Sequence, residues 1–278
     1  MGNILITKMD MKTIVILDKA QKELPLLLGD ICAYLEKTHK FKTTLKNKND
    51  SKSLVTQADV GIQEIFEQWV FDNFNNHTVV GEEKDIKNDS SDWIWYIDPI
   101  DGTNLFSRNI EEWGVIISLT YKELPLISWV YFPYTKTIYF SRKDKGSFKS
   151  GIKIQTSKVD MVKKSIISGV YLNSLDREEI MLGKLWKESL WGIVGRSLAR
   201  DFCDLAEGKI DIAVCYQCYS WEYKALNLLV EEAGGVCSGF AKLQFNVLET
   251  KPQNITAFAN KRLMDKGTKL IKVPPSFV

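Results

Sequence analysis

The sequence has few cysteines, almost no net charge and no long apolar run, and each shortage argues against a class of protein. The five cysteines are odd in number and scattered along 278 residues, so they do not suggest a disulfide framework. We therefore expect the protein to be located in the reducing cytoplasm. A formal net charge of +2 at pH 7 is not the large basic excess that would indicate binding of a nucleic-acid polymer. No apolar run approaches the roughly 20 residues that span a bilayer, so we expect no membrane partner.

Local signals at the N-terminus and among the lysines and cysteines are weak. The N-terminus lacks the basic start and long apolar core of a signal peptide, and Ile6 replaces the Ser or Thr of a myristoylation signal. Lysines cluster from Lys37 to Lys52, where intervening Asn, Asp and Ser favour a solvated loop over an arm that binds a polyanion. Cys215-x-x-Cys218 has no second ligand pair and is weak evidence for zinc.

Hydrophobic periodicity predicts helices in the first part of the chain. Residues 12–38 have helical character, with Pro25 as a point of interruption. Residues 55–74 form the clearest helix, and Thr56 and Asp59 have the spacing of a capping box at its start. Its apolar stripe consists of Ile62, Ile65, Phe66, Trp69, Val70 and Phe74.

Strand-like runs follow, and their connections change near residue 160. The runs "WGVIISLTY", "LISWVYF", "KTIYFSR" and "SFKSGIKI" are joined by brief polar turns, which predicts an antiparallel meander. Beyond residue 160, strands and helices alternate, which predicts an α/β second half. We therefore expect two halves, residues 1–155 with an antiparallel sheet and the metal-site motifs, and residues 156–278 completing the site.

The stretch "DWIWYIDPIDGTNLF" ends a strand in two aspartates, a proline and a glycine, and it carries the strongest chemical signal. Pro99 restricts Asp98 to extended geometry, and Gly102 permits close backbone approach. Thr103 can begin a helical turn whose N–H groups favour an anion such as phosphate. Asp98 and Asp101 could be ordinary turn residues. Two carboxylates beside such amides would instead suit magnesium-assisted phosphoryl chemistry.

Further acidic groups precede this turn. Glu82 and Glu83 follow a short strand and a glycine, where a solvated turn would also explain them. Asp59 could likewise serve only as a helix-start residue. Neither His39 nor His77 lies near a motif.

Four stretches resemble, in order and spacing, the signatures of the inositol monophosphatase-like phosphatases. They are "SLVTQAD", "VVGEE", "YIDPIDGTNLF" and "WEYKALNLLVEEAGG", and the resemblance extends from about Leu54 to Gly235, including "RSLARDFCDLAEGKID". This superfamily, whose typical members depend on magnesium and are inhibited by lithium, also includes bisphosphate nucleotidases and one class of fructose-1,6-bisphosphatases. The resemblance implies a layered αβαβα sandwich, with the metal site between its two halves, and a homodimer.

The resemblance also implies the metal ligands. Glu82, Asp98 and the backbone carbonyl of Ile100 would bind one magnesium ion, and Asp98 would bridge to a second that Asp101 shares. Two or three Mg²⁺ ions per site would then act on a small phosphorylated metabolite. Glu222 stands where the family has a metal-binding aspartate that also touches the substrate.

The same resemblance assigns the remaining chemistry. Thr103, paired with Asp59, would orient and help deprotonate the attacking water. Glu82 would be a third catalytic residue. The amides of Gly102 and Thr103 would hold the phosphate, and Asp101 would also contact the substrate. No covalent phospho-enzyme is needed.

The chain departs from the family pattern in its second half. Glutamate at position 222 lengthens the carboxylate arm by one carbon, about 1.5 Å, so we expect a retuned second-metal site. Cys215 replaces a substrate-binding glutamate of inositol monophosphatases, and a thiol is a poor partner for a polyol hydroxyl. Arg200 is interpreted as an exposed helix residue, or as a group that reaches a second phosphate or carboxylate on the substrate.

These observations leave two functional hypotheses. The leading one is a phosphomonoesterase acting on an inositol phosphate, another sugar or polyol phosphate, or a nucleotide 3′-phosphate, with plain myo-inositol phosphate disfavoured. The alternative is a catalytically impaired member of the family that acts in regulation or binds a partner, with its metal site compromised at Glu222. The acidic motifs together favour the enzyme, because a scaffold needs none of them.

Overall fold

The structure, a computed structural model, describes residues 10–37, 43–45, 54–86, 91–169, 175–194, 196–240 and 245–271. The chain forms two compact units, Met1–His39 and Lys40–Val278. The first contains one helix, α1 (Met11–Lys37), which runs through Pro25 without ending there. The helix predicted over residues 12–38 is therefore confirmed as far as residue 37.

The second unit contains the remaining elements. Its helices are α2 (Gln57–Asn73), α3 (Thr103–Phe106), α4 (Leu175–Glu188), α5 (Leu198–Ala206), α6 (Ser220–Glu232) and α7 (Lys261–Gly267). Its strands are β1 (Thr43–Leu45), β2 (Leu54–Thr56), β3 (Thr78–Gly81), β4 (Asp85–Ile86), β5 (Trp93–Asp101), β6 (Gly114–Tyr121), β7 (Leu124–Phe132), β8 (Thr137–Arg142), β9 (Gly146–Lys149), β10 (Ile152–Ile154), β11 (Ile166–Ser168), β12 (Trp191–Ile193), β13 (Ile212–Cys218), β14 (Val236–Gly239) and β15 (Gln253–Phe258). Two 3₁₀ turns, Val162–Lys164 and Thr268–Leu270, complete the set in the described residues.

Among the described residues, two main sheets organise this unit. The larger has the strand order β10-β9-β8-β7-β6-β5-β3-β4, and the smaller has the order β12-β11-β13-β15-β14. Strands β6 to β10 are successive antiparallel neighbours, which confirms the predicted meander. In the smaller sheet β11 is parallel to β12 and β13, whereas β15 is antiparallel to both of its neighbours.

Helices pack on both faces of each sheet and produce five layers. Helix α2 contacts β5, with Phe66 edge-on to Trp95 at 5.8 Å. Helices α5 and α6 share one buried apolar cluster with strands of both sheets, and so form the central layer. Leu185 of α4 and Leu263 of α7 belong to a second cluster on the outer face of the smaller sheet. The layered αβαβα sandwich is therefore the observed fold.

The sequence predicted the elements that position the motifs. Thr56 caps α2 through a capping box with Asp59, as the spacing indicated. Thr43–Leu45 pairs with Leu54–Thr56, so the loop predicted between residues 37 and 52 is wrong over this strand. Lys37 is the last residue of α1, and residues 38–42 and 46–52 lie outside the described residues. The predicted boundary between the two halves, residues 1–155 and 156–278, falls just after β10 and stays a prediction. None of the described helices combines the length and apolar composition that crossing a membrane requires.

Candidate active site

Strand β5 ends in an irregularity that brings two buried carboxylates together. Its register against β6 shifts between Asp98 and Asp101, and both side chains are almost completely buried. In a regular strand, residues three apart point to opposite faces, so the shift allows both carboxylates to face one site. The N–H of Ile100 donates to Asp98 Oδ1 at 3.0 Å and fixes the first carboxylate from within the turn.

Thr103 and Asp59 form a hydrogen-bonded pair beside this turn. Thr103 begins α3, directly after Gly102 in the left-handed region at φ 93°. Its Oγ1 lies 3.3 Å from Asp59 Oδ1 and 3.1 Å from the Ile100 carbonyl. Asp59 is fully buried, and its Oδ2 accepts from the backbone N–H of Thr56 at 2.7 Å. The capping box of α2 therefore orients the second carboxylate oxygen toward Thr103.

Glu82 joins the site from the end of β3. Its N–H donates to the Ile97 carbonyl at 3.2 Å, which keeps residue 82 alongside β5. The preceding Gly81 lies so close to Gln63 that an added Cβ would sit 2.4 Å from that side chain. The Glu82 side chain reaches Asp98 and shares a hydrogen bond with it.

Glu222 reaches the cluster from the first turn of α6. Its Oε2 accepts from the N–H of Tyr219 at 2.6 Å, so it caps the helix that carries it. Carboxylate oxygens of Asp98, Asp101 and Glu222 lie within 4.8 Å of one another. The longer side chain at position 222 therefore still reaches the two aspartates.

Burial and mutual repulsion make protonation of this cluster easier. Burial, followed by the charges of Glu82 and Asp101, raises the pKa of Asp98 well above its usual value. Burial raises the pKa of Asp101 to about 7, although hydrogen bonds, first that from the Ala199 N–H, oppose the rise. Burial and then the charge of Asp101 raise the pKa of Glu222 as well.

A divalent cation would relieve this repulsion. The donor set consists of carboxylate oxygens with a backbone carbonyl nearby, and magnesium prefers such hard oxygen ligands. The residues present therefore fit the magnesium site that the sequence predicts.

The structure corrects the expectation of an exposed Arg200. Its side chain is only 15% exposed, and its Nε donates to Glu112 Oε2 at 2.9 Å. The guanidinium lies 3.9 Å from the ring centre of Phe132, a cation–π contact that holds it flat. Arg200 is thus already engaged within the protein, because an aromatic ring and a carboxylate from distant segments converge on it.

Cys215 is buried in β13 and lies against the acidic cluster. Its Sγ, the Sγ of Cys218 and a carboxylate oxygen of Glu222 are within 4.8 Å of one another. The structure therefore places a thiol and not a carboxylate on this side of Glu222.

The start of α5 supports Asp101, which was not predicted from the sequence. The N–H of Ala199 and the side chain of Ser197 both hydrogen bond to this carboxylate. Ser197 is recognisable as a helix cap, because it precedes an apolar helical run and accepts from the N–H of Arg200 at 3.2 Å. Nothing in the sequence indicates that Asp101, 98 residues before Ala199, lies there.

Comparisons with known proteins agree with this fold. A model of the inositol monophosphatase family matches residues 17–271. Inositol monophosphatase 1 of Bos taurus is 26% identical over 261 residues, which is 90% of this chain and 92% of its own length. Nus factor SuhB of Escherichia coli (strain K12) is 24% identical over 234 residues, 78% of this chain and 85% of its own. A solved IMPase/NADP phosphatase, complexed with Mg²⁺ and phosphate, has a TM-score of 0.82 at 22% identity and covers 93% of this chain and 97% of its own.

Proposed function

Because the chain belongs to the inositol monophosphatase family, we propose that it is a magnesium-dependent phosphomonoesterase that acts on a small phosphorylated metabolite. The observation that supports this most is the convergence of Asp98, Asp101 and Glu222 beside the Thr103–Asp59 pair. Carboxylates that bind cations and a hydroxyl–carboxylate pair that handles a proton are the two parts that metal-assisted hydrolysis requires.

Five groups would hold two or three Mg²⁺ ions: the side chains of Glu82, Asp98, Asp101 and Glu222, and the carbonyl of Ile100. Bound magnesium would neutralise charge on the phosphoryl group and increase the acidity of the attacking water. Asp98 is held by the N–H of Ile100 and Asp101 by the N–H of Ala199, so both carboxylates are fixed before an ion arrives. Such preorganisation reduces the reorganisation that ion binding would otherwise require.

The chain's own residues would position the water and the phosphate. Asp59 Oδ2 accepts from Thr56, and Asp59 Oδ1 lies 3.3 Å from the Thr103 hydroxyl, which also has the Ile100 carbonyl as an acceptor at 3.1 Å. When the Thr103 hydroxyl donates its proton to Asp59, the Thr103 oxygen can accept a hydrogen bond from a water molecule. The negative charge of Asp59 would then favour transfer of the water's proton toward this pair. The N–H groups of Gly102 and Thr103 would hold a phosphate oxygen.

The proposal also covers the class of substrate, the oligomeric state and the cellular location. The names of the Bos taurus relative and of the solved IMPase/NADP phosphatase support phosphorylated polyols and nucleotides as substrates. Cys215 in place of the family glutamate favours a substrate other than plain myo-inositol phosphate. We further propose a homodimer, as the family resemblance implies. A cytoplasmic location is supported by the five cysteines, which all lie in the described residues and form no disulfide there.

The direct test is phosphate release with Mg²⁺ from a panel of phosphomonoesters. The panel includes inositol phosphates, fructose bisphosphate and adenosine 3′,5′-bisphosphate. We expect turnover that Asp98→Asn abolishes and that Glu222→Asp changes in magnesium requirement. No turnover by the natural chain, with activity gained in Glu222→Asp, would show that Glu222 switches the site off.

A second candidate function is regulation through a partner protein. It is favoured by the relative named Nus factor SuhB and by Glu222, which serves as a helix cap as well as a cluster member. The natural chain and both variants would then release no phosphate on any member of the panel. Melting temperatures that do not respond to Mg²⁺ would accompany that result.

A further inference from the structure

Two buried thiols adjoin the acidic cluster and take no part in the proposed hydrolysis. Cys215 and Cys218 both lie on β13 and are 1% and 0% exposed. The Cys218 thiol donates to the Glu222 carboxylate, and the Cys215 thiol donates to the Tyr216 carbonyl at 3.8 Å. One ligand atom from each of these three residues lies within 4.8 Å of the other two.

The strand is irregular where it brings these thiols together. In a regular strand, residues 215 and 218 would point to opposite faces of the sheet. The register of β13 against β15 shifts between Cys215 and Cys218, and Gln217 adopts a left-handed φ of 52°. The N–H of Gln217 donates to Asn254 Oδ1 at 2.9 Å, which holds the bulge in place. The bulge places both sulfur atoms on the side of Glu222.

Two sulfurs and a carboxylate suit a different cation from magnesium. Zinc and cobalt accept thiolate and carboxylate ligands in tetrahedral sites, with metal–sulfur bonds of about 2.3 Å and metal–oxygen bonds of about 2.0–2.2 Å. In such a site neighbouring ligand atoms are roughly 3.5 Å apart. Small side-chain rotations would bring Cys215, Cys218 and Glu222 from their present separations to that spacing. Magnesium, which prefers oxygen, would not compete for the sulfurs.

We propose that Cys215, Cys218 and Glu222 form a binding site for a thiophilic divalent cation such as Zn²⁺. Glu222 belongs to this site and to the cluster of Asp98 and Asp101, so one carboxylate serves two sites. An ion bound to the sulfurs holds Glu222 away from the aspartates and weakens magnesium binding there. Each thiol releases its proton to solvent when the ion binds.

The absorbance of bound Co²⁺ tests this site without reference to turnover. Thiolate ligands give Co²⁺ a charge-transfer band in the near ultraviolet, and its intensity increases with the number of thiolates. Co²⁺ is titrated into the reduced full-length chain and into Cys215→Ser, Cys218→Ser and the double variant. Cys237→Ser is the matched control, because this cysteine lies on β14 outside the cluster.

We expect a band that saturates at one Co²⁺ per chain, is reduced to about half in each single variant and is lost in the double variant. Cys237→Ser keeps the full band. Glu222→Gln keeps the band but needs at least ten times more Co²⁺ for half-saturation, because one ligand is lost. No band in the natural chain, or a band that survives in the double variant, would overturn the site. A half-saturation point that Glu222→Gln leaves unchanged would overturn the shared carboxylate.

Discussion

Lys224 is a fully buried cation, and replacing it should destabilise the fold measurably. It lies on α6, two residues after Glu222, and is 0% exposed. Its Nζ donates to Glu123 Oε2 at 2.7 Å and to the Glu123 carbonyl at 3.0 Å. The Tyr96 hydroxyl donates to the same carboxylate oxygen at 2.6 Å. Burial lowers the pKa of Lys224, and the carboxylate of Glu123 opposes that effect.

Lys224→Met keeps the apolar stem and removes the charge. Breaking a buried ion pair by removing one partner costs about 3–5 kcal/mol. The remaining Glu123 side chain is 27% exposed and keeps its bond from Tyr96, so part of its charge stays solvated. We therefore expect a smaller loss, about 2–3 kcal/mol of unfolding free energy.

Urea denaturation monitored by tryptophan fluorescence measures this loss. Lys122→Met is the matched control, because Lys122 is 55% exposed and its ion pair with Asp92 at 3.6 Å should contribute less than about 1 kcal/mol. Combining Lys224→Met with Glu123→Gln should cost less than the sum of the single changes. A loss below about 0.5 kcal/mol for Lys224→Met, equal to that of the control, would mean that the buried ion pair does not stabilise the fold.

Three further predictions follow from the site. Burial raises the pKa of Asp101 to about 7, so the metal-free folded chain retains a proton that the unfolded chain loses near pH 4. Its melting temperature should fall as pH rises from about 4 to 7, and Mg²⁺ should remove the fall; a flat profile without Mg²⁺ would contradict this. Gly102→Ala, at φ 93°, should cost roughly 1–2 kcal/mol in urea denaturation, whereas Gly183→Ala, with open space around it, should not destabilise. Arg200→Leu should cost about 1 kcal/mol through its lost contact with Glu112, and a raised KM at unchanged stability would instead indicate contact with substrate.

Local signals in the sequence predicted much of the fold. The sequence predicted the start and the buried face of α2, which are the capping box of Thr56 and Asp59 and the apolar stripe. Both could be predicted because a helix start and a helix face depend on residues within one or two turns. The meander was readable for the same reason, since brief turns join neighbouring strands. The five layers followed from the family resemblance and not from these patterns.

Contacts between segments that are distant in the chain could not be predicted from the sequence. Arg200 lies on an amphipathic helix, where exposure is the ordinary expectation, and only the fold brings Glu112 and Phe132 against it. The Ala199 N–H that holds Asp101 comes from 98 residues away. The bulge at Gln217, which turns Cys215 toward Glu222, depends on a register shift that alternation of side chains cannot reveal. The roles of the candidate site residues stay predictions until they are measured.

Mg²⁺-dependent phosphate release by the natural chain and by Asp98→Asn is the most direct test of the proposed metal site. Asparagine matches aspartate in shape and can still accept from the Ile100 N–H, so the variant removes charge with little loss of structure. Asp92→Asn makes the same change at an exposed position just before β5 and serves as the control. We predict turnover by the natural chain and by Asp92→Asn that chelation of Mg²⁺ stops, and none by folded Asp98→Asn. Equal release by Asp98→Asn and the natural chain, or release that does not depend on Mg²⁺, would contradict the proposed site.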